Sequence, residues 1–188
     1  MAISGKLRGF FISIMLLGLA ACRLIPAGDS GQPPADVKLG QVLFDCYYVN
    51  FAWGYTLSGY FINQDGAIFR YDRGDNRWLP ESIREDSFVI SSTDLIAKFS
   101  NQEYIGEIDP NLLKEKIALI PAVVGGKITE EQVAADAGWG GCVTYRYHPD
   151  LDAYSEIPLG AGGDFLIKNN APEAEELLIW LQDINVAP

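Results

Sequence analysis

The chain is poor in the side chains that most often do chemistry. Among 188 residues there is one histidine, His148, and there are three cysteines and two methionines. That stock excludes a zinc site of the usual Cys/His kind, which takes three or four such ligands. No Gly-x-Ser-x-Gly elbow is present, and neither glycine-rich stretch is followed by the lysine and hydroxyl of a phosphate-binding loop. Cations are scarce as well, with 14 Lys and Arg against 25 Asp and Glu, so a polyanionic partner such as nucleic acid is disfavoured. No metal or cofactor is expected, and the residues assemble no catalytic group. A carboxylate-dependent hydrolase is the remaining enzymatic alternative.

Long apolar runs are missing except at the start. Lys6 and Arg8 precede a stretch from Gly9 to Ala21 that includes Phe10, Phe11, Ile12, Leu16, Leu17 and Leu19, with no acidic residue before Asp29. A bilayer span needs about 20 apolar residues, so this run has the length of an export-signal core instead. It ends in Leu19-Ala20-Ala21-Cys22. Small residues before a thiol, at the end of such a core, resemble the lipobox of bacterial lipoproteins. The resemblance implies a diacylglyceryl thioether on Cys22, cleavage between Ala21 and Cys22, and acylation of the new amino group. Two or three acyl chains make a stable anchor where one holds only reversibly. In Gram-negative members a residue other than aspartate after the cysteine, here Arg23, goes with outer-membrane sorting. The Gly59-to-Gly66 segment and the Glu176-Leu177-Leu178-Ile179-Trp180-Leu181 stretch are similar to parts of bacterial lipoproteins of unassigned activity, which implies none here.

The expected organisation is therefore a signal peptide at 1–21, a lipidated cysteine and flexible tether at 22–41, and a single domain at 42–188. The tether reading rests on Pro26, Gly28, Gly31, Pro33, Pro34 and Gly40. Without the two basic residues of the leader, 12 basic side chains face 25 acidic ones, a net charge of −13. Such a domain gains nothing from anionic head groups, so the covalent lipid alone would hold it to the membrane. Cys46 and Cys142 remain as a pair. In an oxidising compartment they are either a disulfide or two buried thiols at the ends of separate strands.

Periodicity predicts an α+β fold in which an antiparallel sheet is built from two hairpin regions, with a helical middle and an amphipathic C-terminal helix. Strands are expected at Val42–Phe51, Leu57–Asn63 and Ala67–Tyr71, with a hairpin turn at Gln64-Asp65-Gly66. A second hairpin is expected over Cys142–Tyr147 and Ala153–Leu159, then a glycine-rich loop at Gly160–Asp164 and a short strand at Phe165–Lys168. The two hairpins share a faint Arg-Tyr echo. Helices are expected after Ser92 or Thr93, after Asp109-Pro110, and at Thr129-Glu130-Glu131-Gln132, which has the form of a capping box. Ala174, Leu177, Leu178, Leu181 and Ile184 mark the closing helix.

The densest feature is aromatic: Tyr47, Tyr48, Phe51, Trp53, Tyr55, Tyr60 and Phe61. Beside carboxylates such as Asp45 and Asp65 these rings have the makings of a sugar-stacking platform, and equally of the core and cross-strand pairs of a sheet. Trp53, Tyr55 and Trp139 are the candidate ligand-binding residues. Gly138-Trp139-Gly140-Gly141 and Gly160–Asp164 read as tight turns. Asp72, Asp75 and Asn76, or Asp150 and Asp152, read as solvated turn residues rather than a calcium loop. The functional expectation is a lipid-anchored envelope protein of non-catalytic role, which contacts another envelope protein or contributes to envelope structure. Binding of glycan or peptidoglycan is the alternative.

Overall fold

Alternating apolar residues in the first half of the domain draw it into a meander. Val42–Asn50 (β2), Thr56–Asn63 (β3) and Ala67–Asp72 (β4) pair antiparallel in sequence order. The computed structural model describes residues 25–26, 41–52, 54–84 and 88–184. The β3–β4 turn is organised by a buried asparagine: Asn63 Oδ1 accepts from the backbone N–H groups of Asp65 (3.0 Å) and Ala67 (2.9 Å). Gly66 completes the turn at a φ of 86°.

The remaining elements are β1 (Ile25–Pro26), β5 (Val89–Ser91), α1 (Ser92–Lys98), β6 (Glu103–Glu107), α2 (Pro110–Ile117), α3 (Ile120–Val124), β7 (Ile128–Gln132), β8 (Trp139–His148), β9 (Ala153–Gly163), β10 (Phe165–Asn169) and α4 (Pro172–Gln182). Among the described residues the strands form one sheet in the order β1-β6-β4-β3-β2-β8-β9-β10-β7, with β5 paired to β9. The fold is thus sheet-dominated α+β. The two hairpin regions expected from sequence are halves of this one sheet, joined along the β2–β8 seam. Within the stretch expected as tether, Ile25 and Pro26 pair with Glu107 and Gly106 of β6.

Each face of the sheet carries its own core. One face buries Phe44, Tyr60, Ile62, Ile68, Leu113, Val123, Leu159, Leu177 and Leu181 beneath α2, α3 and α4. The other buries Phe61, Phe69, Tyr71, Ile90, Leu95, Phe99, Val143 and Tyr145 beneath α1. Both faces being covered explains why β2 reads Val42-Leu43-Phe44-Asp45-Cys46, buried at five successive positions, instead of alternating. α2 begins as expected: the Asp109 carboxylate accepts from the N–H groups of Asn111 (2.9 Å) and Leu112 (3.1 Å), with Pro110 at the first helical position.

Several expectations are corrected. Thr129-Glu130-Glu131-Gln132 is not a helix but strand β7, exposed at all five of its positions and paired residue for residue with β10. A capping motif with no apolar stripe behind it has nothing to bury as a helix, whereas β10 offers a complete edge of backbone partners. Gly160–Gly163 is not a loop but the end of β9, and Trp139 to Gly141 opens β8. Only Gly138 (φ 74°) and Gly163 (φ 124°) of these segments take left-handed backbone. Gly160 has a packing reason instead, since a Cβ there would lie 2.8 Å from Leu178 Cδ2 of α4. The cap of α1 is Ser91, one residue before Ser92, and its hydroxyl accepts from Asp94 N–H at 3.0 Å.

Candidate functional site

The face beneath α1 holds the most unusual chemistry of the molecule. In β2, Asp45 follows Phe44 and precedes Cys46, and its carboxylate is sealed at 0 % exposure. A carboxylate in such a place needs a cation and hydrogen-bond donors. Lys98, the last residue of α1, supplies the cation, with Nζ 2.6 Å from Asp45 Oδ2. The tyrosines complete the shell: Tyr71 OH donates to Oδ1 at 2.8 Å and Tyr145 OH to Oδ2 at 3.1 Å. The ammonium lies 4.1 Å from the Tyr47 ring centroid and 5.0 Å from that of Trp78. Trp78 is itself tied to α1 by its indole N–H on the Asp94 carbonyl, 2.8 Å away.

A second carboxylate, half-buried Glu156 of β9, joins this group through Tyr145 OH, 3.3 Å from its Oε2. Burial pushes the Glu156 carboxyl up; Asp45 pushes the same way, while the Lys98 charge and the tyrosine hydroxyls oppose it. Burial likewise raises the Tyr47, Tyr71 and Tyr145 phenols, with Asp45 and Glu156 adding to it. These hydroxyls stay protonated and act as donors. Because the folded state favours the protonated acid, Glu156 costs stability increasingly as pH rises above the ordinary glutamate value, and in full once pH passes its raised folded pKa. The Glu156→Gln variant should accordingly match or exceed the parent in thermal stability at neutral pH. The gap should close as pH falls towards the ordinary glutamate value of about 4.3. Melting curves across pH 4–8 check this, and a pH-independent gap would contradict it.

The candidate ligand-binding residues lie at the end of this face. Tyr55 and Trp139 meet across Phe51, with ring centroids 5.3 Å and 5.7 Å from it. Trp139 also meets Phe165 edge-on at 5.6 Å, and the Arg77 guanidinium lies 5.4 Å from the Phe51 centroid. Tyr55 OH accepts from Trp78 N–H at 3.2 Å. These rings spend much of their surface on one another, as a small satellite core. Trp53 lies outside the described residues, as do Ala21 and Cys22.

Asp45, expected beside the rings as part of a sugar platform, lies instead beneath α1 with both oxygens engaged. Asp45 and Glu156 are brought together on Tyr145, yet Asp45 is closed off by Lys98 and two tyrosines and has no lone pair open to a substrate. The network fastens α1 and Trp78 to the sheet. Its signal in the sequence was a carboxylate inside a fully apolar strand run. His148 ends β8, with Nε2 2.8 Å from Ser155 Oγ. Asp72 and Asp152 are exposed turn residues, whose carboxylates accept from Gly74 N–H (2.8 Å) and from the Ser92 and Tyr147 hydroxyls (2.7 and 3.0 Å).

On the opposite face Cys46 and Cys142 are directly paired across the β2–β8 seam and joined as a disulfide. No helix among the described residues is long and apolar enough to cross a membrane. Comparison of the chain with protein-family models, curated proteins and solved structures returned no match.

Proposed function

We propose that the chain is a lipid-anchored protein of the bacterial cell envelope whose domain binds another envelope component and catalyses no reaction. The observation that carries this reading is Leu19-Ala20-Ala21-Cys22 at the end of a short apolar run preceded only by basic charges. Two features of the domain support it. A disulfide staple suits an exported compartment. The sealed carboxylate of Asp45 is committed to a buried ion pair with Lys98, which suits a scaffold. With a net charge of −13 after leader removal, the domain approaches the membrane through its lipid and not through basic residues. In a Gram-negative cell it would face the periplasm from the outer membrane.

Cell fractionation tests the placement. The parent protein should sediment with membranes and move to the detergent phase, and the Cys22→Ser variant should lose that partitioning. Equal partitioning of the two would contradict the anchor. Cross-linking of the native protein in intact cells then separates a protein partner from the second reading, glycan binding.

A further inference from the structure

The α4 face of the sheet is not fully covered. α4 crosses the strands, with Leu178 over Gly160 and the Leu181 carbonyl accepting from Tyr60 OH at 2.6 Å. Beyond Gln182 the sheet surface lies open as a trough in three contiguous parts. The largest, of about 970 Å³, is bounded by Arg70, Asp72, Asn101, Gln182 and Asp183. A second, of about 370 Å³, passes over Tyr48, Ser58 and Gly140, and a third of similar size follows Gly160–Gly162 towards Lys168. Gln182 borders all three.

Tyr48 stands in the middle of the trough and is 43 % exposed. Its hydroxyl donates to the Ala137 carbonyl at 2.9 Å and accepts from Asn50 Nδ2 at 3.1 Å, which fixes the ring. Its cross-strand neighbours are Ser58 and Gly140, and Gly140 pairs in turn with Gly162, so only small residues flank the ring in that row. The fold does not ask for glycine at 162: a Cβ there would meet nothing within 4 Å, and the residue is not among the glycines with left-handed backbone. A strand glycine with open space above it leaves room for another molecule to approach the sheet closely.

We propose that this trough binds a neutral glycan chain lying across the strands, with one sugar stacked on Tyr48. Planar amide and carboxylate groups at Asn101, Gln182, Asp72 and Asp183 meet the hydroxyls of the sugars beside it. The strands crossed by the trough repeat at about 4.8 Å, giving a long, shallow bed of mixed polar and apolar surface suited to an extended chain. Anionic polymers are repelled by the acidic side chains along the trough and by the net charge of the whole domain. The proposal deepens the binding reading above and depends on it only for the compartment in which the glycan is met.

The test is titration of the purified, detergent-solubilised full chain with tetramers of N-acetylglucosamine, cellobiose-type glucan and maltose-type glucan, followed by calorimetry. Saturable binding of at least one is expected, weakened about tenfold or more by Tyr48→Ala and by Gly162→Gln. A side chain at 162 points into open space, so Gly162→Gln should melt with the parent, whereas Tyr48→Ala also gives up the hydroxyl's bonds to Ala137 and Asn50 and should melt somewhat lower. Absence of binding by all three tetramers at the highest soluble concentration would overturn the proposal. So would binding that neither variant weakens, or capture of a protein by a photo-cross-linker at position 162. None of these results touches the lipid anchor, which is read separately from the mass of the mature N-terminus.

Discussion

The Lys98→Ala protein is expected to lose about 3–5 kcal/mol of stability at neutral pH, enough to unfold much of a domain of ordinary stability. The loss comes less from the missing attraction than from what remains. Asp45 would be left charged at 0 % exposure with only the Tyr71 and Tyr145 hydroxyls to hold it. A companion result separates this cause from simple loss of side-chain packing. Removing both charges together, as Asp45→Asn with Lys98→Met, should recover most of the loss, because a buried pair replaced by neutral groups of similar size is often neutral in stability. Urea denaturation midpoints at neutral pH measure the single and the double variant. A deficit below about 1 kcal/mol in the single variant would show that water reaches the site and that the pair is not sealed.

Loss of the Cys46–Cys142 bridge is expected to be of similar size. The two residues are 96 positions apart in sequence. In the chain-entropy model, closing a loop of that length stabilises the folded state by about 4–5 kcal/mol, because the reduced unfolded chain is so much freer. The bridge also lies on the β2–β8 seam, where the strands from the first half of the domain meet those from the second. Reduction should therefore lower the urea midpoint sharply without changing the folded topology, and thiol titration of the denatured, unreduced protein should find neither Cys46 nor Cys142 reactive. An unchanged midpoint after complete reduction would mean that pairing along the seam suffices without the covalent link.

These expectations rest on features that were unequally legible in the sequence. The Asp109-Pro110 start of α2, the Asp65-Gly66 turn and the stripe of α4 could be read directly, because a cap, a turn and a helical face are each written within a dozen residues. The disulfide was open to two readings, since proximity of Cys46 and Cys142 depends on β2 and β8 being neighbours. The β2–β8 pairing is long-range, and no local pattern states it. β7 was misread for the opposite reason: its Thr129–Gln132 motif is locally helical, and the competing partner, β10, lies more than thirty residues further on. The Asp45–Lys98 pair spans 53 positions and was missed, though a carboxylate among Val42, Leu43, Phe44 and Cys46 was a visible anomaly. Of the candidate ligand-binding residues, Tyr55 and Trp139 do come together, through Phe51, but as rings packed on one another. The trough around Tyr48 has no counterpart in sequence, because small residues from three other strands, Ser58, Gly140 and Gly162, are brought into one row with it.

The claim on which the functional account rests is covalent, and intact mass spectrometry of the protein purified from membranes tests it most directly. The account predicts a chain that begins at Cys22, heavier than its sequence by a diacylglyceryl group and an amide-linked acyl chain. A mass corresponding to a chain that begins at Met1, or one in which Cys22 carries no lipid, would contradict it.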